Sequence, residues 1–358
     1  MRCIAAPCVR WAYDYNVGTM VNACNLGNAP RGGFRVGSLA LEGCAMLAPM
    51  AGVTDVGMRR IASRRGAALT FSEMVATHMF LDGEAESRLR ADGRGVSPNA
   101  VQIVGWDGPA VAETARLVEA SGAEMVDLNM GCPARRVAGK LAGAALLRDL
   151  DTATRLVEAA VAAVKIPVTV KTRLGWDNSS RNAAELARRA ELAGAQMITI
   201  HARTRDQFYK GAADWKAARE IVEAVKIPVV VNGDCRSLDD ARKMLAVSGA
   251  AAVMIGRGAV GAPWKVGAIS RALAEDGAML APSSEDRRDD ALEHFDGLLT
   301  AMGAHAGLRH ARKHLAAYAE AEGAPETLRR ELVTTPDVAR AIELLARAYD
   351  PEMARVAA

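Results

Sequence analysis

The chain has 358 residues, half of them hydrophobic and a quarter charged, with only 4% aromatic. That composition excludes a disordered or collagen-like chain and supplies core enough for one large domain plus a smaller one. The net charge of +3 divides unevenly: residues 283–358 hold 10 Lys/Arg against 14 Asp/Glu, net −4, which leaves +7 on the rest and admits a polyanionic partner there.

The six cysteines (Cys3, Cys8, Cys24, Cys44, Cys132 and Cys235) form no CxxC pair. They imply reduced thiols in a cytoplasmic protein, with neither a disulfide framework nor a metal site. No apolar run reaches the ~18 residues of a membrane span, and the N-terminus has no continuous apolar segment of the signal-peptide kind. Residues 1–34 are rich in Asn, Gly and Pro toward their end, so a poorly ordered extension is expected.

A repeating unit begins near Cys44. Residues 45–48 are a short apolar run ending in Pro49-Met50-Ala51-Gly52. A helix follows from Asp55, its N-cap, to Arg65, with Gly66 as the stop. Further strands are predicted over 68–72, 101–104, 125–129, 168–171, 197–201, 229–232 and 251–255. Helices over 110–120, 151–164, 181–193, 215–225 and 238–247 alternate with them. Two junctions echo each other, Val164-Lys165-Ile166-Pro167-Val168 and Val225-Lys226-Ile227-Pro228-Val229, each with a proline where a strand starts and a missing N–H is tolerated. Eight strands in strict alternation predict an α/β fold, a (β/α)8 TIM barrel over 35–275, in preference to a doubly wound sheet. From residue 284 strand signals vanish, and 284–358 read as a small all-helical C-terminal domain.

Active sites of such barrels lie at the C-terminal strand ends. Those ends carry Pro49-Met50-Ala51, Glu73, Gln102, Asn129 with Cys132, Lys171 with Arg173, His201 with Arg203, Asn232-Gly233-Asp234, and Gly256-Arg257. Nearly every end is polar, which marks a pocket. The run from Gly256 to Gly261 matches GxGxxG formally, with Asp276 downstream, but a dinucleotide fingerprint needs a following parallel strand and helices follow here. It reads better as a phosphate cup of exposed backbone N–H groups, with Arg257 adding charge. Lys171 suits an anionic ring or phosphate. Gln102 can donate and accept, as an isoalloxazine edge requires. His201, with Arg203 and Arg205 close behind, suits a phosphate or a substrate. Cys132 stands between Gly131 and Pro133 on a loop at the pocket mouth. On these residues alone it is either an inert small hydrophobe or a reactive thiol.

In order along the chain, Leu47-Ala48-Pro49-Met50-Ala51-Gly52-Val53-Thr54-Asp55, Asn129-Met130-Gly131-Cys132-Pro133, Val170-Lys171-Thr172-Arg173, His201-Ala202-Arg203-Thr204-Arg205, Ala213-Asp214-Trp215, Asn232-Gly233-Asp234, Gly256-Arg257-Gly258 and Arg312-Lys313-His314-Leu315 resemble motifs of the tRNA-dihydrouridine synthases, specifically their bacterial B-type branch. The resemblance covers roughly residues 35 to 345. It implies an FMN-bound barrel with a helical tRNA-binding domain, reducing uridines of tRNA to 5,6-dihydrouridine with NAD(P)H as electron donor. Hydride would pass from the flavin to uracil C6, and a proton from Cys132 to C5. By position, Pro49, Met50, Ala51, Gln102, Lys171, His201, Asn232, Gly233, Asp234, Gly256 and Arg257 would bind FMN. Asn129, Arg173 and Arg203 would face the substrate, and Arg309, Arg312 and Lys313, in a basic cluster with His310 and His314, would contact the RNA. The expected partner is tRNA, with no stable protein partner. Departures from the family are Ala202 where Gly is usual, a less Gly-rich loop over 140–147, and Leu150 where Pro is common. The competing readings are an FMN-dependent barrel reductase of a free small molecule, such as a pyrimidine or an enone, and a non-catalytic RNA-binding barrel.

Overall fold

A computed structural model describes residues 33–134 and 141–350. The N-terminal extension thus lies almost wholly outside the described residues, as does Lys140 of the loop after Cys132. The first described element is a hairpin, β1 (Phe34–Val36) and β2 (Leu39–Leu41), which sequence reading did not anticipate.

Eight parallel strands close into a barrel: β3 (Ala45–Leu47), β4 (Leu69–Phe71), β6 (Asn99–Val104), β7 (Met125–Met130), β8 (Val168–Arg173), β9 (Ile198–His201), β10 (Val229–Asn232) and β11 (Ala252–Ile255). The ring closes through Val253↔Ala45, Met254↔Met46 and Ile255↔Leu47. A two-residue strand, β5 (Val75–Ala76), continues the line of β4 along β6. The two prolines act as expected: Pro167 and Pro228 precede β8 and β10, and their carbonyls accept from Val126 and Ile198 of the neighbouring strands.

Around the barrel lie α1 (Val56–Arg64), α2 (Thr77–Leu81), α3 (Ala85–Ala91), α4 (Gly108–Ala120), α5 (Leu150–Ala163), α6 (Ala183–Leu192), α7 (Ala218–Ala224), α8 (Leu238–Ser248) and α9 (Trp264–Glu275). The helix ends follow the sequence signals. Asp55 caps α1 by accepting from Gly57 and Met58, and Ser237 with Asp240 forms a capping box on α8. Packing divides by layer. Met46, Leu69, Phe71, Met125, Met197, Val230 and Met254 fill the barrel interior, and Val36 and Leu41 of the hairpin join that cluster from one end. The opposite end is left to polar side chains.

Four further helices, α10 (Ser284–Met302), α11 (Ala304–Ala321), α12 (Glu326–Thr334) and α13 (Val338–Ala348), surround a core of their own that includes Phe295, Leu315, Leu332 and Leu345. This unit docks on α1. Asp290, nearly buried, pairs with Arg64 and Arg65, each at 2.8 Å, and Asp286 and Glu293 extend the contact. Part of the net acidity of the tail is therefore spent on the barrel and does not face outward.

Candidate active site

In a strand, alternate residues face one side. On β6 to β9 this sends Gln102, Asp127, Asn129, Thr169, Lys171, Arg173, Thr199 and His201 inward as a polar layer above the methionines. The register sets Gln102 beside Asp127, Asn129 beside Lys171, and Arg173 beside His201. The layer opens into a cleft of ≈ 370 Å³ at the C-terminal strand ends. Pro49, Met50, Ala51, Gln102, Asn129, Cys132, Lys171, Arg173, His201, Asn232, Gly233, Asp234, Gly256 and Arg257 all line it, so the barrel residues given a binding or catalytic role converge with one exception. Glu73, a polar strand end given no such role, is buried outside the lining and accepts from the Gly52 N–H.

Cys132 is held from below by a relay of amides. Thr169 Oγ1 and Gln102 Nε2 donate to the two oxygens of Asp127, at 2.6 and 2.7 Å. With its NH2 thus committed, Gln102 turns its Oε1 to Asn129 Nδ2, at 2.8 Å. Asn129 Oδ1 in turn accepts from the backbone N–H of Gly131 and Cys132, at 3.1 and 2.9 Å. A carboxylate can only accept, so Asp127 fixes the direction of every bond up to the thiol-bearing turn. Asp127 is fully buried, and burial pushes its carboxyl up to about 6. Arg173 Nε secures the same turn by donating to Gly131 O, at 2.7 Å.

The facing wall is cationic. Lys171 donates to Asn232 Oδ1 at 3.2 Å, and Asn232 is itself fixed by donating to Met254 O. Burial, and then the neighbouring Arg173, pull the Lys171 ammonium down to about 8. His201 is buried and ringed by Lys171, Arg173, Arg203 and Arg257; desolvation and these cations hold it neutral, far below the usual histidine range. Arg203 can only donate, so its 3.4 Å contact makes His201 Nε2 the acceptor. Gly233 (φ +123°) and Asp234 (φ +58°) make a left-handed turn at the end of β10, costly for the non-glycine residue. It aims the Asp234 carboxylate at Arg203 and Arg257, at 2.5 and 3.4 Å. After β11, a Cβ on Gly258 would lie 2.4 Å from Cys235 O, so the backbone there packs as only glycine can.

Arg203 is the exception. It is buried behind His201 and spends its guanidinium on Lys210 O, Gly211 O and Asp234, outside the cleft lining. Together with Arg173, which donates to Thr204 O and Phe208 O, it shapes the loop that presents Tyr209. That ring lines the cleft, and its centroid is 5.5 Å from the Arg173 guanidinium and 5.3 Å from that of Arg257. Sequence reading missed Tyr209, which no strand end marks. It also missed Asp127, whose signal was an acidic residue inside a buried strand. Arg309, Arg312 and Lys313 lie on α11, outside the cleft lining, although the Lys313 ammonium reaches the Gly52 turn beside it; Arg309 and Lys313 are exposed, Arg312 is half-buried, and His314 of the same cluster is buried against the barrel.

Residues 46–352 match the family described as "Dihydrouridine synthase (Dus)". The chain belongs to the dihydrouridine synthase family. It is 48% identical over 314 residues to a "Probable tRNA-dihydrouridine synthase" of Rhodobacter capsulatus, covering 87% of this chain and 96% of that one. It is 41% identical over 286 residues to "tRNA-dihydrouridine synthase B" of Pasteurella multocida, covering 80% and 86%. Among solved structures, 6-hydroxypseudooxynicotine amine oxidase (HisD) of Pseudomonas geniculata N1 aligns with a TM-score of 0.52 at 11% identity, over 69% of this chain and 50% of that one, a likeness of fold alone. Family membership agrees with the resemblance read from the motifs. Among the described residues, no helix is long and apolar enough to cross a membrane.

Proposed function

We propose that this protein reduces uridines of tRNA to 5,6-dihydrouridine, in the cytoplasm, using FMN held in the cleft and NAD(P)H as electron donor. The observation that carries the reading is the position of Cys132. It sits on a turn fixed by Asn129, at the rim of a cleft whose other wall is cationic.

The residues fit FMN. Lys171, Arg173, Arg236 and Arg257 line the cleft against one carboxylate, Asp234, which is already paired, so the site requires an anion. The glycine turn after β11 and Arg257 would take the phosphate. Gln102 and Lys171 would meet the polar edge of the ring, and Pro49, Met50 and Ala51 would pack against it. Bound FMN supplies the hydride for uracil C6.

Cys132 supplies the proton to C5. Conjugation to the C4 carbonyl polarises the uracil double bond, and an acid on the far face completes the addition. The amide relay holds that acid in place. Neutral His201 and Lys171 stand on the facing wall of the cleft. Asn129 and Arg173 flank the base, which must leave its stack to enter. Residues 284–350 form the tRNA-binding domain in this reading, with Arg309, Arg312 and Lys313 on phosphates.

The decisive experiment is Cys132→Ala. The variant should bind FMN and oxidise NADPH normally, yet reduce tRNA about 10²–10⁴-fold more slowly, the usual worth of a general acid. Undiminished tRNA reduction would remove Cys132 from the chemistry. Reduction of free uridine but not of tRNA would favour the small-molecule reductase instead.

A further inference from the structure

We infer a divalent transition-metal site, for Zn²⁺ or an ion of similar preference, between the barrel and the helical domain, formed by Asp55, His310 and His314. The ligand atoms of these three residues lie within 4.8 Å of one another. Asp55 is the N-cap of α1, just beyond the Pro49–Ala51 wall of the cleft; the two histidines are one turn apart on α11, so both rings project from the same helix face.

The cluster is short of hydrogen-bond donors. His314 is 3% exposed, and its Nε2 has no hydrogen-bond partner, although it lies 3.5 Å from Asp55 Oδ2. His310 Nε2 takes the Lys313 ammonium at 3.1 Å and is therefore an acceptor. Asp55 also only accepts, and the groups serving it are the backbone N–H of Gly57 and Met58 and the Nε2 of His294, 3.0 Å from both carboxylate oxygens. An orphaned imidazole nitrogen, a second accepting imidazole and a carboxylate thus face one another. A cation satisfies all three at once. Tetrahedral Zn²⁺, with bonds of about 2.0–2.2 Å, spaces its ligand atoms about 3.3 Å apart. The pair Asp55–His314 already has that spacing. His310, half-buried on the surface side, is the ligand that draws in, releasing the exposed Lys313. His294 then serves as the outer partner that orients the carboxylate, its own Nδ1 fixed by Tyr318 OH at 2.8 Å. Water would fill the fourth position. Sequence spacing hides the site, because Asp55 and His310 lie near opposite ends of the folded chain.

Such an ion joins the loop that walls the cleft to the helix that carries Arg309 and Lys313. The test uses the full-length purified protein, freed of metal with a chelator, and titrates Zn²⁺ against a chromophoric competitor. Co²⁺, with its visible ligand-field bands, reports the geometry. One Zn²⁺ per chain is expected, with tetrahedral Co²⁺ bands and a rise in unfolding temperature on adding Zn²⁺. His310→Ala, at a half-buried position that folding tolerates, should weaken binding at least about tenfold. Asp55→Asn, which keeps the helix cap, should do the same. Cys132→Ala should leave Zn²⁺ affinity unchanged. Failure to bind Zn²⁺ stoichiometrically, or unaltered affinity in His310→Ala, overturns the site and leaves the Asp55–His294 contact as a hydrogen-bonded lock without metal.

Discussion

Asn129 is the side chain through which the buried network reaches the thiol, and its removal tests the relay directly. Asn129→Ala deletes three hydrogen bonds: one to Gln102 and one each from Gly131 and Cys132. At about 0.5–1.5 kcal/mol net apiece, the loss is about 2–4 kcal/mol in urea denaturation. Gln102→Met, close in shape, breaks the relay one step lower. Since the two residues share a 2.8 Å bond, a double-mutant cycle should show coupling of at least about 0.5 kcal/mol. The local readout is alkylation of Cys132 by iodoacetamide, which should change several-fold in Asn129→Ala once the turn is loose. Single-turnover tRNA reduction should drop about 10²-fold, the scale of an ångström-sized misplacement. Additive effects in the cycle, together with an unchanged alkylation rate, would show that Asn129 and Gln102 act independently and that no relay exists.

The other predictions concern charge. Burial raises Asp127 to about 6, so the native state binds its proton more tightly than the unfolded chain; its contribution to stability is greatest below about pH 4 and is lost as pH rises through 6. Asp127→Asn can still accept from Gln102 and pair with Thr169, so it should abolish that fall and gain up to roughly 3 kcal/mol at pH 7, measured by denaturation across pH. A pH profile identical to that of the parent would count against an ionised Asp127. Lys171, lowered to about 8, has the opposite sense: the unfolded chain holds the proton better, and stability rises with pH from about 8 toward 10.5. Lys171→Met should therefore stabilise the FMN-free protein at neutral pH, by at most about 3 kcal/mol, while weakening FMN binding at least tenfold; equal FMN affinity would remove Lys171 from the cofactor site. Arg309→Glu with Lys313→Glu should weaken tRNA binding and lower the slope of log K against log salt by about 2, one per phosphate contact. An unchanged slope would take α11 off the RNA.

The barrel was legible because its signals are local and repeated. Apolar runs bounded by Gly, Pro and capping residues placed all eight strands to within a few residues, and Asp55, Ser237 and Gly249 mark helix ends by their own chemistry. What escaped lacked such punctuation. The hairpin at Phe34–Leu41 is only two three-residue strands, stabilised by reaching into the barrel interior rather than by local propensity. The short helices α2 and α3 lie in one β–α connection, where apolar periodicity has no length over which to show. The acidity of the tail misled in another way: charge counts do not say that Asp286, Asp290 and Glu293 face Arg64 and Arg65.

The site divides along the same line. Residues that end strands could be found because a polar group has reason to be there only if something binds it. Residues one layer deeper could not, because Asp127 inside Val126-Asp127-Leu128 looks like an exception to burial until its register is known. Once β7 is in place, that residue stands beside Gln102 and Thr169, and its meaning reverses. A buried carboxylate, costly by itself, becomes the fixed acceptor from which two amides take their orientation. Cys132 itself belongs to the legible class, but what distinguishes it from an inert cysteine does not. Asn129 accepts the two backbone N–H groups from only two and three residues away, but Gln102 on β6 orients that amide and Arg173 on β8 holds the Gly131 carbonyl, so the full arrangement arises only when three strands are closed side by side.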